Sequence, residues 1–385
     1  MRFEFATATR ILFGSGTLRD VAPAAREMGR RALVVTGKDR SRAEGLRGSL
    51  TSAGIHHVTF AIAGEPTTHL VQSGAELARS ESAELVIAIG GGSVIDAGKA
   101  IAALATNSGA LLDYLEVIGL GRTLENAPLP FIAIPTTAGT GAEVTRNAVL
   151  ASPEHRVKVS LRSPLMLPKL AVVDPELALG LPVAITASTG MDALTQLIEP
   201  FVSCRANPLT DGLCREGIVR AARSLRRACS HPDNLSARED MAAASLFSGL
   251  ALANAGLGAV HGFAAPIGGM FPAPHGAVCA ALLPHAMEIN LRALRERQPD
   301  SDALHRFTEI AQMLTADLGA TANDGVIWLR QLFTDLSIPS LGTYGISSSD
   351  VAVLCDKAAQ ASSMKGNPLV LTPYELQEIL IRSLA

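Results

Sequence analysis

Four residues in the C-terminal half have the types that a catalytic metal needs. Asp192 and Gln196 lie four apart in GMDALTQ, which places both on one face of a helix. His261 (GAVHG) and His275 (APHG) follow much later, separated by a Gly/Pro-rich segment. A carboxylate and two imidazoles are the smallest set that holds a divalent ion and leaves positions open for a substrate. Such an ion polarises a bound oxygen and lowers its pKa. Spacing also allows a plainer reading, in which the aspartate caps a helix and the histidines donate to carbonyls.

A second kind of chemistry is written in VIAIGGGSVIDAGKA. A buried strand runs into Gly90, Gly91 and Gly92, which let the backbone turn and present N–H groups with no Cβ in the way of an anion. Ser93 is expected to be the N-cap of a helix over residues 94–104, whose positive end points at the same spot. IPTTAGTGAEVT again follows an expected strand, and its Thr136, Thr137 and Thr140 supply hydroxyls beside open glycine backbone. Two such loops at strand C-termini describe a dinucleotide crevice in an open α/β sheet. Asp96, Lys99 and Lys158 are further candidates for cofactor contact, the lysines toward ribose or phosphate oxygens. Asp39, after an early strand, suits the ribose hydroxyls of NAD, whereas Lys38, Arg40 and Arg42 suit the extra phosphate of NADP. NAD is the preferred reading, with NADP open.

These residues need elements to position them. Residues 31–37, 56–63, 85–92 and 130–137 are β-rich segments, the first three separated from the next by stretches with helical periodicity, as in 69–84. Strands alternating with helices mean a mostly parallel sheet covered on both faces. Residues 171–178 read as a final strand running into a turn, and MRFEFATATRILFG at the N-terminus reads as a strand. Beyond about residue 181 the pattern is amphipathic and helical, at 191–202, 211–228, 237–252, 303–318, 324–336, 350–360 and 374–383. The expected architecture is therefore an α/β dinucleotide-binding domain over 1–180 and an all-helical metal and substrate domain over 181–385, with chemistry in the cleft between them.

Composition narrows the class of protein. The 385 residues carry 33 basic and 36 acidic side chains, too even a balance to draw nucleic acid or an anionic membrane as partner. Arg215, Arg220, Arg223, Arg226 and Arg227 on one helix read as a solvated face before a phosphate site. The five cysteines form no CxxC pair, which fits a reducing compartment and a cytoplasmic enzyme. Residues 249–271 are rich in Ala and Gly, but Asn254, His261 and Pro266 interrupt them, so packed core helices are expected there and no membrane span.

Together these segments resemble the iron-containing (group III) alcohol dehydrogenase family. The likeness runs nearly end to end, through RILFGSG, GGGSVIDAGKA, IPTTAGTGAEVT, VVDPEL, TGMDALTQLIEPFVS, NAGLGAVHGFAAPIGG, APHGAVCAALLPHAMEIN and GNPLVLT. It implies reversible oxidation of a small alcohol to an aldehyde or ketone, a nicotinamide cofactor, a divalent metal (Fe²⁺ first, Zn²⁺ or Mn²⁺ next) and a homodimer or larger assembly. The family's glycine turn falls on Gly90, Gly91, Gly92 and Ser93, and its threonine loop on Thr136, Thr137 and Thr140. Its four metal ligands fall on Asp192, position 196, His261 and His275, of which Asp192, His261 and His275 are the expected catalytic centre. The chain departs from the family pattern at three places. Gln196 stands where the family has histidine, and Ala265 stands where a second histidine is thought to relay the proton. Gly37 stands where the early strand usually ends in aspartate. An amide oxygen is a hard, weak donor, so Gln196 implies weakened metal binding, as fourth ligand or as partner of a bound water. With Ala265 the proton is left to water or a ribose hydroxyl. The alternatives are a metal-independent keto-acid reductase of the maleylacetate reductase type, a synthase that uses NAD transiently, as dehydroquinate synthase does, and a nucleotide-binding protein without chemistry. Net consumption of NAD(P)H separates them.

Overall fold

The structure, a computed structural model, describes residues 2–385. The chain forms two compact units, one of Ala6–Thr137 with Gly141–Leu179, the other containing Gly180–Ala385 with Ala138–Thr140.

The first unit is built on β1 (Ile11–Phe13), β2 (Arg31–Gly37), β3 (His56–Ile62), β4 (Leu85–Gly90), β5 (Phe131–Pro135), β6 (Asn147–Ser152), β7 (Val157–Arg162) and β8 (Leu170–Val173). Six of them make one sheet in the order β1-β8-β5-β4-β2-β3, parallel throughout. Continuous apolar runs such as Leu85–Ile89 suit strands covered on both sides, and the period of two then divides each strand between two cores. Val86 and Ala88 of β4 join Leu33 and Val35 under the helix Gly92–Thr106. Leu85, Ile87 and Ile89 join Ala32 and Val34 on the opposite face, against Val21 and Ala25 of the helix Val21–Met28 and Leu46 and Leu50 of the helix Glu44–Ser52. The chain steps from β2 to β3 on one side and then to β4 on the other. The C-terminal ends of β2 and β4 therefore flank the switch point where open α/β sheets bind ligands.

Two expectations for this unit are corrected, and one hairpin is found where none was expected. The N-terminal strand is only Ile11–Phe13, which pairs with β8. Ser93 lies inside the first turn of its helix, and the N-cap is Gly91, which offers no side chain. An antiparallel hairpin, β6–β7, fills the stretch before β8. Its alternating burial is legible in NAVLAS once the partner strand is known, but the segment is short and flanked by charged residues that mask the period.

The second unit is helical, and no strand follows Val173 among the described residues. Helices occupy Val183–Val202, Pro208–Ser230, Leu235–Ala255, Ala259–Met270, His275–Arg297, Asp302–Thr315, Ala322–Asp335, Val351–Gln360 and Pro373–Arg382. The first begins at Val183, ahead of the expected residue 191. The core helices expected over residues 249–271 are the end of Leu235–Ala255 and Ala259–Met270, and the helix His275–Arg297, for which no helix is expected in sequence, follows. Ala259–Met270 and His275–Arg297 each contain a proline, Pro266 or Pro284, and each is largely buried, so neither shows an amphipathic stripe. Among the described residues no single helix is long and apolar enough to cross a membrane. The pair Leu235–Ala255 and Ala259–Met270, bent by 99°, passes that test together on length and composition. The arginines of Pro208–Ser230 brace helices: Arg215 pairs with Glu309, Arg220 and Arg223 with Asp240, and Arg226 with Asp335.

Candidate active site

From Gly190 to Val202 every residue of the helix Val183–Val202 is buried, including Asp192, Thr195, Gln196 and Glu199. Charged and amide groups in such a place need partners. Asp192, Gln196 and Glu199, at spacings of four and three, share one face and look onto two other helix starts. His261 lies in the first turn of Ala259–Met270, and His275 opens His275–Arg297. A Cβ on Gly276 would come 2.2 Å from the Ser188 carbonyl oxygen, so glycine after His275 lets this helix end approach closely enough for the imidazole to meet Asp192.

The Asp192 Oδ1 atom is 3.4 Å from His261 Nε2 and 3.6 Å from His275 Nε2. It is buried yet has no hydrogen-bond partner. The Cys279 thiol, one turn beyond His275, stands 3.8 Å from His261 Nε2 and 3.7 Å from His275 Nε2. The ligand atoms of Asp192, His261, His275 and Cys279 all fall within 4.8 Å of one another. An orphaned carboxylate oxygen facing two imidazole nitrogens and a sulfur is a donor set that a divalent cation satisfies.

Further residues hold these donors in place. Glu199 Oε2 accepts from His261 Nδ1 at 2.7 Å, and Glu199 Oε1 accepts from the Val260 N–H at 2.7 Å. The carboxylate thus fixes the ring so that Nε2 faces Asp192, and it also neutralises the helix N-terminus. Gln196 lies one turn from Asp192, and its Oε1 accepts from Ser248 Oγ at 3.3 Å. Burial pushes the Asp192 carboxyl up, but the neighbouring His275, His261 and Gln196 outweigh it, holding it below its usual value. Burial pushes both imidazoles down, and Cys279 with the carboxylates overrides this. His261 ends well above its usual value and His275 at about 8. The field at this point favours positive charge.

In the sheet unit, Gly90 pairs in register with Pro135, and the Thr136 N–H donates to the Gly90 carbonyl at 2.9 Å. The glycine turn and the threonine loop are therefore neighbours. None of the three glycines has a positive φ; Gly91 is at −73°. Their use is clearance, since a Cβ on Gly90 would lie 2.6 Å from the Val94 side chain, and one on Gly91 would reach 3.4 Å from Thr137 Oγ1. Thr136 is buried, Thr137 half-buried, and Thr140 half-buried before the left-handed Gly141. Asp39 is exposed beyond β2, where it accepts the Ser41 N–H, which lowers its pKa. Arg42 is turned to the Leu177 carbonyl, and Lys158 pairs with Glu65 at 3.1 Å.

Lys99 is a correction. Its ammonium is buried and donates to the Ala142 and Asn147 carbonyls and Thr145 Oγ1, with Asp96 at 3.2 Å. Asp96 also accepts the Val149 N–H at 3.0 Å. The pair ties the helix Gly92–Thr106 to β6 and leaves Lys99 no reach toward a phosphate.

Residues 8–175 match the family model of the iron-containing alcohol dehydrogenases, and residues 186–384 match that of the family's C-terminal region. The chain belongs to the iron-containing alcohol dehydrogenase family. It is 36% identical to the 1,3-propanediol dehydrogenase of Citrobacter freundii over 98% of its own length and 97% of that protein. The solved structure of a 1,3-propanediol oxidoreductase superposes with a TM-score of 0.92 at 34% identity, covering 100% of both chains. Sulfoacetaldehyde reductase from Bifidobacterium kashiwanohense, solved in complex with NAD⁺, superposes with a TM-score of 0.88 at 28% identity, covering 100% of this chain and 99% of that one.

Cys279, Glu199 and Ser248 are absent from the sequence reading of the site. The first two carried a signal, being four residues after His275 and seven after Asp192, on the same helix faces. Ser248 comes from a third helix and carried none. Ala265, one turn past His261, is exposed and brings no group able to carry a proton.

Proposed function

We propose that the chain oxidises a small alcohol to its aldehyde or ketone with NAD(P)⁺, and runs the reverse reaction, with a divalent metal held by Asp192, His261 and His275. A bound nicotinamide would take the hydride from the alcohol carbon while the hydroxyl proton is released, so that alcohol and NAD(P)⁺ would become carbonyl compound, NAD(P)H and H⁺. The observation that carries this reading is the buried Asp192 Oδ1 without a donor, facing the Nε2 atoms of two histidines. A divalent ion bound there supplies Lewis acidity, which polarises the substrate oxygen and lowers the hydroxyl pKa. Glu199 keeps the His261 proton on Nδ1, which leaves Nε2 free to act as a donor. Gly90, Gly91 and Gly92 clear a path to the helix Gly92–Thr106, whose N-terminal N–H groups and positive end suit a pyrophosphate. Thr136, Thr137 and Thr140 contribute hydroxyls to the same cofactor. Asp39 beyond β2 supports NAD, since Arg42 is occupied by a carbonyl. Ala265 leaves proton release to water or a ribose hydroxyl.

The test is a panel of short alcohols, diols and aldehydes assayed through nicotinamide absorbance, with both cofactors and with Fe²⁺, Zn²⁺ or Mn²⁺ restored to chelated protein. The expected result is turnover that chelation abolishes and metal restores. Turnover of a keto acid untouched by chelation would establish the metal-independent reductase instead.

A further inference from the structure

The metal site has a property that its resemblance to the family does not carry. We propose that Cys279, and not Gln196, supplies the fourth protein ligand, which makes the centre an Asp–His–His–Cys thiolate site that prefers Zn²⁺, Co²⁺ and Fe²⁺ to Mn²⁺. This rests on the metal reading above.

Geometry comes first. An ion bound tetrahedrally by nitrogen or oxygen at about 2.0–2.1 Å and by sulfur at about 2.3 Å separates its donors by roughly 3.3–3.6 Å. Here Asp192 Oδ1 stands 3.4 and 3.6 Å from the two histidine nitrogens. Cys279 Sγ stands 3.8 and 3.7 Å from the same nitrogens. The sulfur's spacing to both nitrogens is thus within a few tenths of an ångström of that of co-ligands, and it lies within 4.8 Å of the Asp192 ligand oxygen. Cys279 is fully buried, one helical turn beyond His275 on the same face.

Gln196, in contrast, has its amide oxygen occupied, accepting from Ser248 Oγ at 3.3 Å. Its place one turn from Asp192, where it helps lower that carboxyl's pKa, makes it a positioning residue. On coordination the Cys279 S–H bond breaks, its proton passes to solvent and a sulfur lone pair binds the ion. No electron is transferred, and the soft donor sets the preference.

Cobalt titration of the metal-free full-length protein tests this without reference to turnover. At one equivalent of Co²⁺ the expected spectrum contains an intense near-ultraviolet thiolate-to-cobalt charge-transfer band beside the visible ligand-field bands. C279A and C279S are expected to lose that band and to bind Zn²⁺ at least about 100-fold more weakly, beyond the roughly 10–100-fold typical of outer partners. Q196A should keep the band. Ligand-field bands without the charge-transfer band in the unaltered protein overturn the assignment of Cys279 alone, and so does a C279A protein that keeps its zinc affinity. Failure to bind cobalt or zinc at all overturns the metal reading and this assignment with it. The decisive spectrum needs no variant, so loss of folding in a mutant does not shield the proposal.

Discussion

Lys99 and Glu143 are both buried beside the glycine turn's helix, and burial shifts the pKa of each. Burial pushes the Lys99 ammonium below its usual value against the pull of Asp96. Removing a partner from a buried ion pair typically costs about 3–5 kcal/mol, because the other charge is left behind. Lys99→Met is therefore expected to lower unfolding stability by about that much in denaturant titrations, while cofactor affinity in the folded protein changes by no more than about threefold. A phosphate ligand would show the reverse. Burial pushes the Glu143 carboxyl up to about 7 from 4.5. Between those values the folded chain binds more protons than the unfolded one, so this group makes stability fall as pH rises through the window and level off above it. Glu143→Gln is expected to flatten that slope and to raise stability above pH 7 by on the order of 1–3 kcal/mol. Unfolding curves for both proteins across the window provide the check. An unchanged slope would remove Glu143 as its source.

At the scale of elements, the step from β4 into the helix Gly92–Thr106 separates two uses of glycine. Gly90 has no room for a Cβ, since the Val94 side chain is 2.6 Å away. Gly90→Ala is expected to shift the helix start and to destabilise the protein by about 1–3 kcal/mol, the usual effect of overpacking. Gly91 has φ −73° and only an ordinary contact at 3.4 Å. Gly91→Ala is expected to leave stability within about 0.5 kcal/mol. It should nevertheless raise the cofactor Kd roughly tenfold, about 1.4 kcal/mol, by placing a methyl where the pyrophosphate approaches. Isothermal titration with NAD⁺ beside thermal unfolding resolves the two effects. Equal affinity in Gly91→Ala would move the phosphate off this turn. The elements themselves were legible wherever periodicity was clean, as in β2, β4 and β5. Proline and all-round burial erased the stripe and hid the helix at His275–Arg297, whereas Ala259–Met270 was legible only through its Ala/Gly-rich composition.

For the whole molecule, a ligand that binds only the folded state raises its stability, by about 4 kcal/mol when present at 1,000 times its Kd. Saturating Zn²⁺ is expected to raise Tm, and exhaustive chelation to lower it reversibly, with the shift reduced in Asp192→Asn and in His261→Ala. Differential scanning calorimetry of the metal-free and loaded forms measures it, and identical curves would argue against a site built from Asp192 and the histidines.

The sequence by itself determined the parallel α/β sheet followed by helices and the glycine and threonine loops, and it named Asp192, His261 and His275, which the structure brings together. Period-two and period-3.6 patterns and loop chemistry are local, so neighbouring residues suffice to read them. The tertiary structure decided which polar groups face each other. Lys99 passed from the cofactor set to the core because its acceptors come from residues 142–147, across a loop. The arginines of Pro208–Ser230 became braces because Glu309 and Asp335 arrive from distant helices. Cys279 came beside Asp192, His261 and His275 because Gly276 lets one helix end close on another. Pairings between residues far apart in the chain depend on how the elements pack, and no local pattern encodes that packing.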